Sequence, residues 1–236
     1  VVVRPLVPFA DLVLASTVPA VQAFDPAFVY ELGAIVQSGM NRMFGGGPPE
    51  TTDVFYYITL YNENYEMPPM PDTPGLAEAI VEGLYKFADA PEGSTIPATI
   101  LFSGSAHTAA REAAAELAEH YGVGAELWSA TSYKALREEA LSAERWNRLN
   151  PEAKSPRKAY VTELLEGRQG PTIAATDYVR GFADQIRAFI PGHYTVLGTD
   201  GFGRSDTRSN LRRFFEVDRY YIAHAAIAAL AKEGKM

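Results

Sequence analysis

Between residues 99 and 231, short β-branched and apolar runs alternate with longer helix-forming runs. The predicted strands are 99–103, 124–130, 171–176 and 195–199, and the predicted helices are 109–121, 132–141, 178–189 and 218–231. Strands that are separated by helices predict a parallel or mostly parallel sheet covered on both faces. The expected fold class is therefore α/β. Asp177 and Asp218 are predicted to be N-caps of the last two helices, and Gly234 is predicted to end the last one.

A second strand–helix pattern occupies the N-terminal part of the chain. A strand is predicted at 21–24, and Asp25-Pro26 is expected to open a helix, because aspartate caps free amides and proline fits the first helical position. The run VFYYITLY at 54–61 predicts a strand buried on both faces. The helix between them has an apolar face with helical spacing, formed by Phe28, Leu32, Ile35, Val36, Met40 and Met43.

Four prolines between 68 and 74 predict a connector without regular structure. We therefore expect two domains, 1–75 and 76–236, with a helix at 76–87 opening the second. The first domain's apolar face, at Phe28, Leu32, Ile35 and Val36, is expected to be exposed and to drive self-association.

Composition excludes several classes of function. The net charge of −8 and pI of about 5.1 argue against nucleic-acid binding, which needs concentrated Lys and Arg. The absence of cysteine excludes disulfides and thiolate sites, and fits a cytoplasmic location. No apolar run approaches the roughly 20 residues that span a bilayer, so we expect no membrane association.

The first residue is not Met, which favours a fragment or a processed product.

The four histidines, at 107, 120, 193 and 224, do not form a metal-ligand spacing with each other or with nearby carboxylates. No metal site is predicted from them, and packing or surface roles are favoured. Gly104, between Ser103 and Ser105, follows a strand and precedes a helix. It favours a tight turn over an anion site, because the full dinucleotide-binding pattern is missing.

Two polar segments follow predicted strands, where ligands gather in open α/β sheets. The first is Asn62-Glu63-Asn64-Tyr65-Glu66, in which the two glutamates are three residues apart and could share a site. A solvated turn before the prolines is the alternative. The second follows strand 195–199 and is a candidate anion or turn site, with structural and functional interpretations evenly balanced. Its residues are Asp200, Gly201, Gly203, Arg204 and Ser205.

Six segments in order resemble one family, the homodimeric pyruvate dehydrogenase first component, over roughly residues 14–232. The segment NENY and the motif GTDGFGRSD with its flanks are the most specific. The segments are FDPAFVYELGAIVQSGMNRMFG (24–45), YYITLYNENYEMPPMP (56–71), the run 101–140, ERWNRLNP (144–151), AATDYVR (174–180) and VLGTDGFGRSDTRSNLRRFFEVD (196–218).

The resemblance implies a fold and a chemistry. Residues 76–236 would form a transketolase-type C-terminal domain, a three-layer mixed sheet, after the tail of the thiamine-binding pyrimidine-type α/β domain. The family is homodimeric and decarboxylates pyruvate on thiamine diphosphate with Mg²⁺. It passes the acetyl group to lipoyl groups of the dihydrolipoamide acetyltransferase core. The activating glutamate and the diphosphate-binding domain would lie outside these 236 residues. This chain alone is therefore expected to be inactive and to bind neither thiamine diphosphate nor Mg²⁺ tightly.

The same resemblance implies site residues. Glu63 and Glu66 would be catalytic, while Asn62, Asn64 and Tyr65 would bind substrate beside the reacting carbon. Glu66 departs from the family branch in which histidine follows NENY. Histidine can donate to the substrate carboxylate, whereas an ionised glutamate repels it.

A further departure is that residues 1–13 do not match the family's histidine- and glycine-rich loop. Two alternatives stay open: part of another thiamine enzyme of transketolase type, or a noncatalytic dimerisation or docking domain.

Overall fold

The structure, a computed structural model, describes residues 11–61 and 64–236. The strands in this part of the chain are β1 Val21–Phe24, β2 Phe55–Ile58, β3 Tyr85–Ala88, β4 Ile96–Phe102, β5 Val123–Ser129, β6 Thr172–Ala175 and β7 Tyr194–Leu197. The α-helices are α1 Asp11–Ala15, α2 Val29–Phe44, α3 Pro49–Thr52, α4 Leu76–Glu82, α5 His107–Tyr121, α6 Tyr133–Leu149, α7 Tyr160–Leu165, α8 Arg180–Ala183, α9 Arg208–Phe214 and α10 Arg219–Lys232. Two 3₁₀ helices lie at Gly104–Ala106 and Asp184–Phe189.

The C-terminal domain is built on a five-stranded sheet with the order β3-β5-β4-β6-β7. Strand β4 pairs in parallel with β5 and β6, and β6 pairs in parallel with β7. Strand β3 is antiparallel to β5. The predicted α/β class with a mixed sheet is therefore confirmed, and the carboxyl ends of β4, β5, β6 and β7 share one edge.

Helices cover both faces of this sheet. Successive residues of a strand point to opposite faces, and β4 follows this rule. Leu101 packs in one core with residues of α6 and α8, while Ile100 and Phe102 pack in another with residues of α5 and α10. Burying each such side chain contributes about 1.5–3 kcal/mol, so the two cores hold the three layers together.

The N-terminal segment contains a second, two-stranded sheet in which β1 and β2 run parallel. Helix α2 joins this segment to the C-terminal domain through the buried carboxylate of Glu31. One oxygen accepts hydrogen bonds from the Tyr85 hydroxyl and the Ser129 hydroxyl, both at 2.6 Å. The other accepts from the main-chain amides of Ala27 (2.5 Å) and Phe28 (3.1 Å). Burial raises the pKa of Glu31, and these four donors oppose that rise.

The exposed apolar surface of this segment differs from the prediction. Strand β2 is not buried on both faces, because Phe55 is 56% and Tyr57 37% exposed. Phe28, which precedes α2, and Ile35 on α2 are buried in the chain's own core, and Leu32 is half-buried. Of the four side chains predicted to be exposed, Val36 is exposed, and the other apolar side chains that α2 exposes are Val29, Met40 and Phe44.

Several element boundaries also differ. The predicted helix 76–87 ends at Glu82, and Gly83 turns the chain into β3 with a φ of +109°. The predicted helix 178–189 is the short α8 followed by a 3₁₀ helix, and α7 and α9 were not predicted.

Two of the three predicted caps are wrong. Helix α2 begins at Val29, four residues after Asp25, and α8 begins at Arg180, after Asp177. The cap at Asp218 is confirmed, because its side chain accepts hydrogen bonds from the amides of Tyr220 and Tyr221.

Candidate functional site

The carboxyl ends of β1, β2, β4 and β6 meet in one buried polar cluster. Asp25 follows β1, and Thr59 and Tyr61 follow β2. Ser103 follows β4, where its hydroxyl donates to the Thr176 hydroxyl beyond β6 at 3.0 Å. The cluster therefore lies between the two-stranded sheet and the five-stranded sheet, at the edge where α/β proteins place their ligands.

Asp25 is the centre of this cluster. Its Oδ1 accepts a 2.6 Å hydrogen bond from the Thr59 hydroxyl and a second, very short one from the Tyr61 hydroxyl. Its main-chain N–H donates to the Thr131 carbonyl at 2.8 Å, and its carbonyl accepts from the Gly104 amide at 3.1 Å. Burial raises the pKa of Asp25 to about 6, against the opposing effect of the hydrogen bonds from Thr59 and Tyr61.

Position 104 must be glycine because the side chains of Asp25 and Tyr61 lie close to its Cα. A Cβ at this position would lie 2.6 Å from Asp25 Oδ1 and closer still to the Tyr61 hydroxyl. Its φ of +47° also favours glycine. The tight turn predicted here is thus present, and it leaves room for the Asp25–Tyr61 hydrogen bond.

Of the predicted polar segment, Asn62 and Glu63 lie outside the described residues. Asn64 and Glu66 are exposed. Tyr65 is attached to the domain junction, because its hydroxyl donates to the Ala27 carbonyl at 2.9 Å and its ring centroid lies 4.5 Å from that of His107.

His107 is the first residue of α5, two residues before the predicted start of this helix, and it is buried among aromatic rings. The ring of Phe28 lies 5.0 Å from it, and that of Phe102 lies 6.4 Å away. Burial lowers the pKa of His107 to about 4, and the cations of Arg111 and Arg212 act in the same direction. The imidazole is therefore neutral at physiological pH and serves as a packing partner for Tyr65.

Asp177 contacts the last residue of the Ser103-Gly104-Ser105 turn. It accepts a 2.5 Å hydrogen bond from the Ser105 hydroxyl and pairs with the Arg212 guanidinium at 3.0 Å. These contacts explain why Asp177 does not cap a helix. They also bring α9, which follows the GFGRSD motif, to the start of α5.

The second predicted segment, 200–205, is exposed throughout. Asp200 accepts from the Arg180 side chain at 2.6 Å and from the Arg180 amide at 3.0 Å. The Arg204 guanidinium lies 3.9 Å from the Phe214 ring centroid. Gly201 has a φ of +88°, which supports the turn. The charged groups of Asp200 and Arg204 thus serve local contacts, while Gly203 and Ser205 are exposed beside them.

Among residues 11–61 and 64–236, no cluster of three or more His, Asp or Glu side chains is placed to hold a metal ion. Side chains in these ranges therefore do not by themselves fit the magnesium ion of a thiamine cofactor. Within the same ranges, none of the helices has both the length and the apolarity needed to cross a membrane.

Sequence reasoning misses the most buried part of the site. It assigns Asp25 to a helix cap, and it gives Tyr61 and His107 no site role. The partners of Asp25 are 34 and 36 residues away, so local spacing carries no signal for them. The predicted strand 54–61, which carries Thr59 and Tyr61 at its end, is the one indication of a polar junction in the sequence.

The layered fold with this strand order defines an α/β domain of the transketolase type. The transketolase of Leishmania mexicana superposes with a TM-score of 0.63 at 14% identity, over 95% of this chain and 27% of that one. The Campylobacter jejuni transketolase gives 0.62 at 17% identity, over 94% and 28%. A split-gene transketolase, described as an inactive β4 tetramer, gives 0.59 at 19%, over 95% and 62%.

The family model of the transketolase-like TK C-terminal domain matches residues 83–218, and the chain belongs to this family. The model of the pyruvate dehydrogenase E1 component middle domain matches residues 10–68. These matches confirm the resemblance noted from the sequence motifs.

Curated relatives agree with these matches. The pyruvate dehydrogenase E1 component of Pseudomonas aeruginosa is 46% identical over 222 residues, which are 94% of this chain and 24% of that protein. Those of Haemophilus influenzae and Mycobacterium tuberculosis are 48% and 43% identical over 93% and 96% of this chain. The chain spans about a quarter of the length of these relatives.

Proposed function

We propose that this chain is the C-terminal part of a thiamine diphosphate-dependent pyruvate dehydrogenase first component. Its parent would oxidatively decarboxylate pyruvate and transfer the acetyl group to lipoyl groups of a dihydrolipoamide acetyltransferase core. The observation that carries the proposal is the succession, within one chain, of matches to the middle domain at 10–68 and the C-terminal domain at 83–218. Transketolases share the fold at low identity. The match to the middle-domain model and the identity to curated pyruvate dehydrogenase E1 components favour pyruvate dehydrogenase.

The placement of the polar segment supports this function. Tyr65 is attached at the edge where β1, β2, β4 and β6 end, and Asn64 and Glu66 are exposed beside it. We assign substrate binding to Asn62, Asn64 and Tyr65, and catalytic roles to Glu63 and Glu66. The exposed side chains of Asn64 and Glu66 would face the cofactor held by the rest of the parent. The segment 200–205 is retained as a turn next to α9, with an anion site as a further hypothesis to test.

Thiamine diphosphate supplies the stabilisation of negative charge at the carbon that loses carbon dioxide. Its activating glutamate and magnesium site would be contributed outside these 236 residues. The proposed domains are 1–75 and 76–236, the proposed parent is a cytoplasmic homodimer, and the 236-residue chain alone would not decarboxylate pyruvate. The inactive tetramer of the split-gene transketolase is in line with such a partial chain.

A chimera tests this proposal. The matching 24% of the Pseudomonas aeruginosa relative is replaced by this chain, and pyruvate-dependent acetylation of an isolated lipoyl domain is followed by mass spectrometry. We expect acetylation that requires thiamine diphosphate and Mg²⁺, and none from the 236-residue chain alone. A chimera that folds and dimerises without acetylating the lipoyl domain would contradict the assignment, as would activity of the chain alone.

A noncatalytic dimerisation role is a second candidate, favoured by one observation. The large apolar side chains of Phe44, Phe55 and Leu60 are 74%, 56% and 73% exposed, which is the property that interaction surfaces require. In this case the chimera would dimerise, and substitution of Glu63 by Gln would leave its activity unchanged. The first candidate requires that this substitution lowers the activity.

A further inference from the structure

We propose that Asp25 is the positioning residue that holds the polar segment following β2 against the C-terminal domain. The role rests on the proposed function, since it concerns the placement of residues that would act on the substrate. Asp25 lies outside that segment and would touch neither substrate nor cofactor. It would act through Tyr61 and Tyr65.

The main chain of Asp25 is fixed to the C-terminal domain. Its N–H donates to the carbonyl of Thr131, just after β5, at 2.8 Å, and its carbonyl accepts from the amide of Gly104, just after β4, at 3.1 Å. Both partners belong to loops at the carboxyl edge of the five-stranded sheet. The position of residue 25 is therefore set by the larger domain.

The side chain of Asp25 is bound to the end of β2. One oxygen, Oδ1, accepts from the hydroxyls of both Thr59 and Tyr61. A single buried residue thus connects the end of β2 with two loops of the other domain.

Tyr65, four residues after Tyr61, makes a second contact with the same region. The Tyr65 hydroxyl donates to the carbonyl of Ala27, two residues after Asp25, and its ring packs on His107. Tyr61 and Tyr65 are therefore both attached to residues 25–27. Without the Asp25 carboxylate, the Tyr61 hydroxyl would lose the acceptor that ties it to residue 25, which is costly for a buried group.

Limited proteolysis of the 236-residue chain tests this role. Chymotrypsin cleaves after tyrosine and phenylalanine, and cleavage after Tyr65 requires release of this segment. Cleavage after Tyr133, which is fully buried in the core, reports global unfolding. The variants are Asp25→Ala, which removes the acceptor, and Asp25→Asn, which keeps Oδ1. The matched control is Tyr160→Phe, which removes a hydroxyl that donates to the Leu84 carbonyl at 3.2 Å.

We expect Asp25→Ala to be cleaved after Tyr65 at least about tenfold faster than the wild type, with a smaller change after Tyr133. Asp25→Asn should stay within about twofold of the wild type because it restores the acceptor, and Tyr160→Phe should be unchanged at Tyr65. An unchanged rate in Asp25→Ala, an equal rise at Tyr65 and Tyr133, or equal rates for the Ala and Asn variants would overturn the proposal.

If Asp25→Ala does not fold, Tyr61→Phe removes one of the two donors to Asp25 and keeps a cleavage site. The same selective rise after Tyr65 is expected, and its absence would overturn the proposal. Proteolysis needs no cofactor or substrate, so a negative result would leave the chimera result standing. An inactive chimera would equally leave the proteolysis result standing.

Discussion

Replacing Asp25 by Asn should remove a defined part of the pH dependence of stability. Asp25 is 1% exposed, and burial raises its pKa from 3.8 to about 6 in the folded chain. The folded state therefore favours the protonated carboxyl. The resulting stabilisation is fully present below about pH 4 and is lost as the pH rises through about 6. A difference of this size corresponds to about 3 kcal/mol.

The assay is urea unfolding of the wild type and of Asp25→Asn between about pH 4 and pH 8. The free energy of unfolding of the wild type should fall relative to that of the variant by about 2.5 kcal/mol over this range, because the unfolded carboxyl is already partly ionised at pH 4. The buried Glu31, whose pKa is also raised, is present in both proteins and cancels in the difference. A pH-independent difference, or a wild type that gains stability over the variant as pH rises, would refute the reasoning.

Three further substitutions test other parts of the structure. Gly104→Ala should destabilise the chain by about 1–3 kcal/mol more than Gly93→Ala in urea unfolding, because both glycines have positive φ but only Gly104 faces crowding atoms; equal losses would contradict this. In the chimera, Glu66→His should raise kcat/KM for pyruvate about tenfold by replacing a repelling carboxylate with a donor; an unchanged or lower value would show that Glu66 does not face the substrate carboxylate. The wild-type chain should self-associate in sedimentation experiments and the double variant Phe44→Ser, Phe55→Ser should do so less; a monomeric wild type at high concentration would argue against it.

The central sheet could be predicted because its strands carry apolar, β-branched runs and its helices carry apolar faces. Strand β3, with the sequence YKFA, overlaps the end of the predicted helix 76–87 because it is short and closely follows α4. Helix α9 has no buried residue, so its sequence RSNLRRF gives no apolar periodicity to recognise. The exposed face of β2 could not be predicted, because its aromatic residues are typical of a strand covered on both sides.

The site could be predicted in part. The end of β2 is identified by a polar run after an apolar one, and Tyr65 does lie at the domain junction. The predicted role of Asp25 is wrong because the rule for helix caps is local. Glu31 reaches back to the amides of Ala27 and Phe28 instead, which leaves the Asp25 side chain free to bind Thr59 and Tyr61. Contacts across more than 30 residues depend on the folded chain and have no counterpart in sequence spacing.

The central claim is that this chain completes a pyruvate-decarboxylating enzyme. Its most direct test is the release of carbon dioxide from carboxyl-labelled pyruvate by the Pseudomonas aeruginosa chimera in a single turnover. We predict release that depends on thiamine diphosphate and falls sharply when Glu63 is replaced by Gln. A dimeric, cofactor-bound chimera that releases no label would contradict the claim.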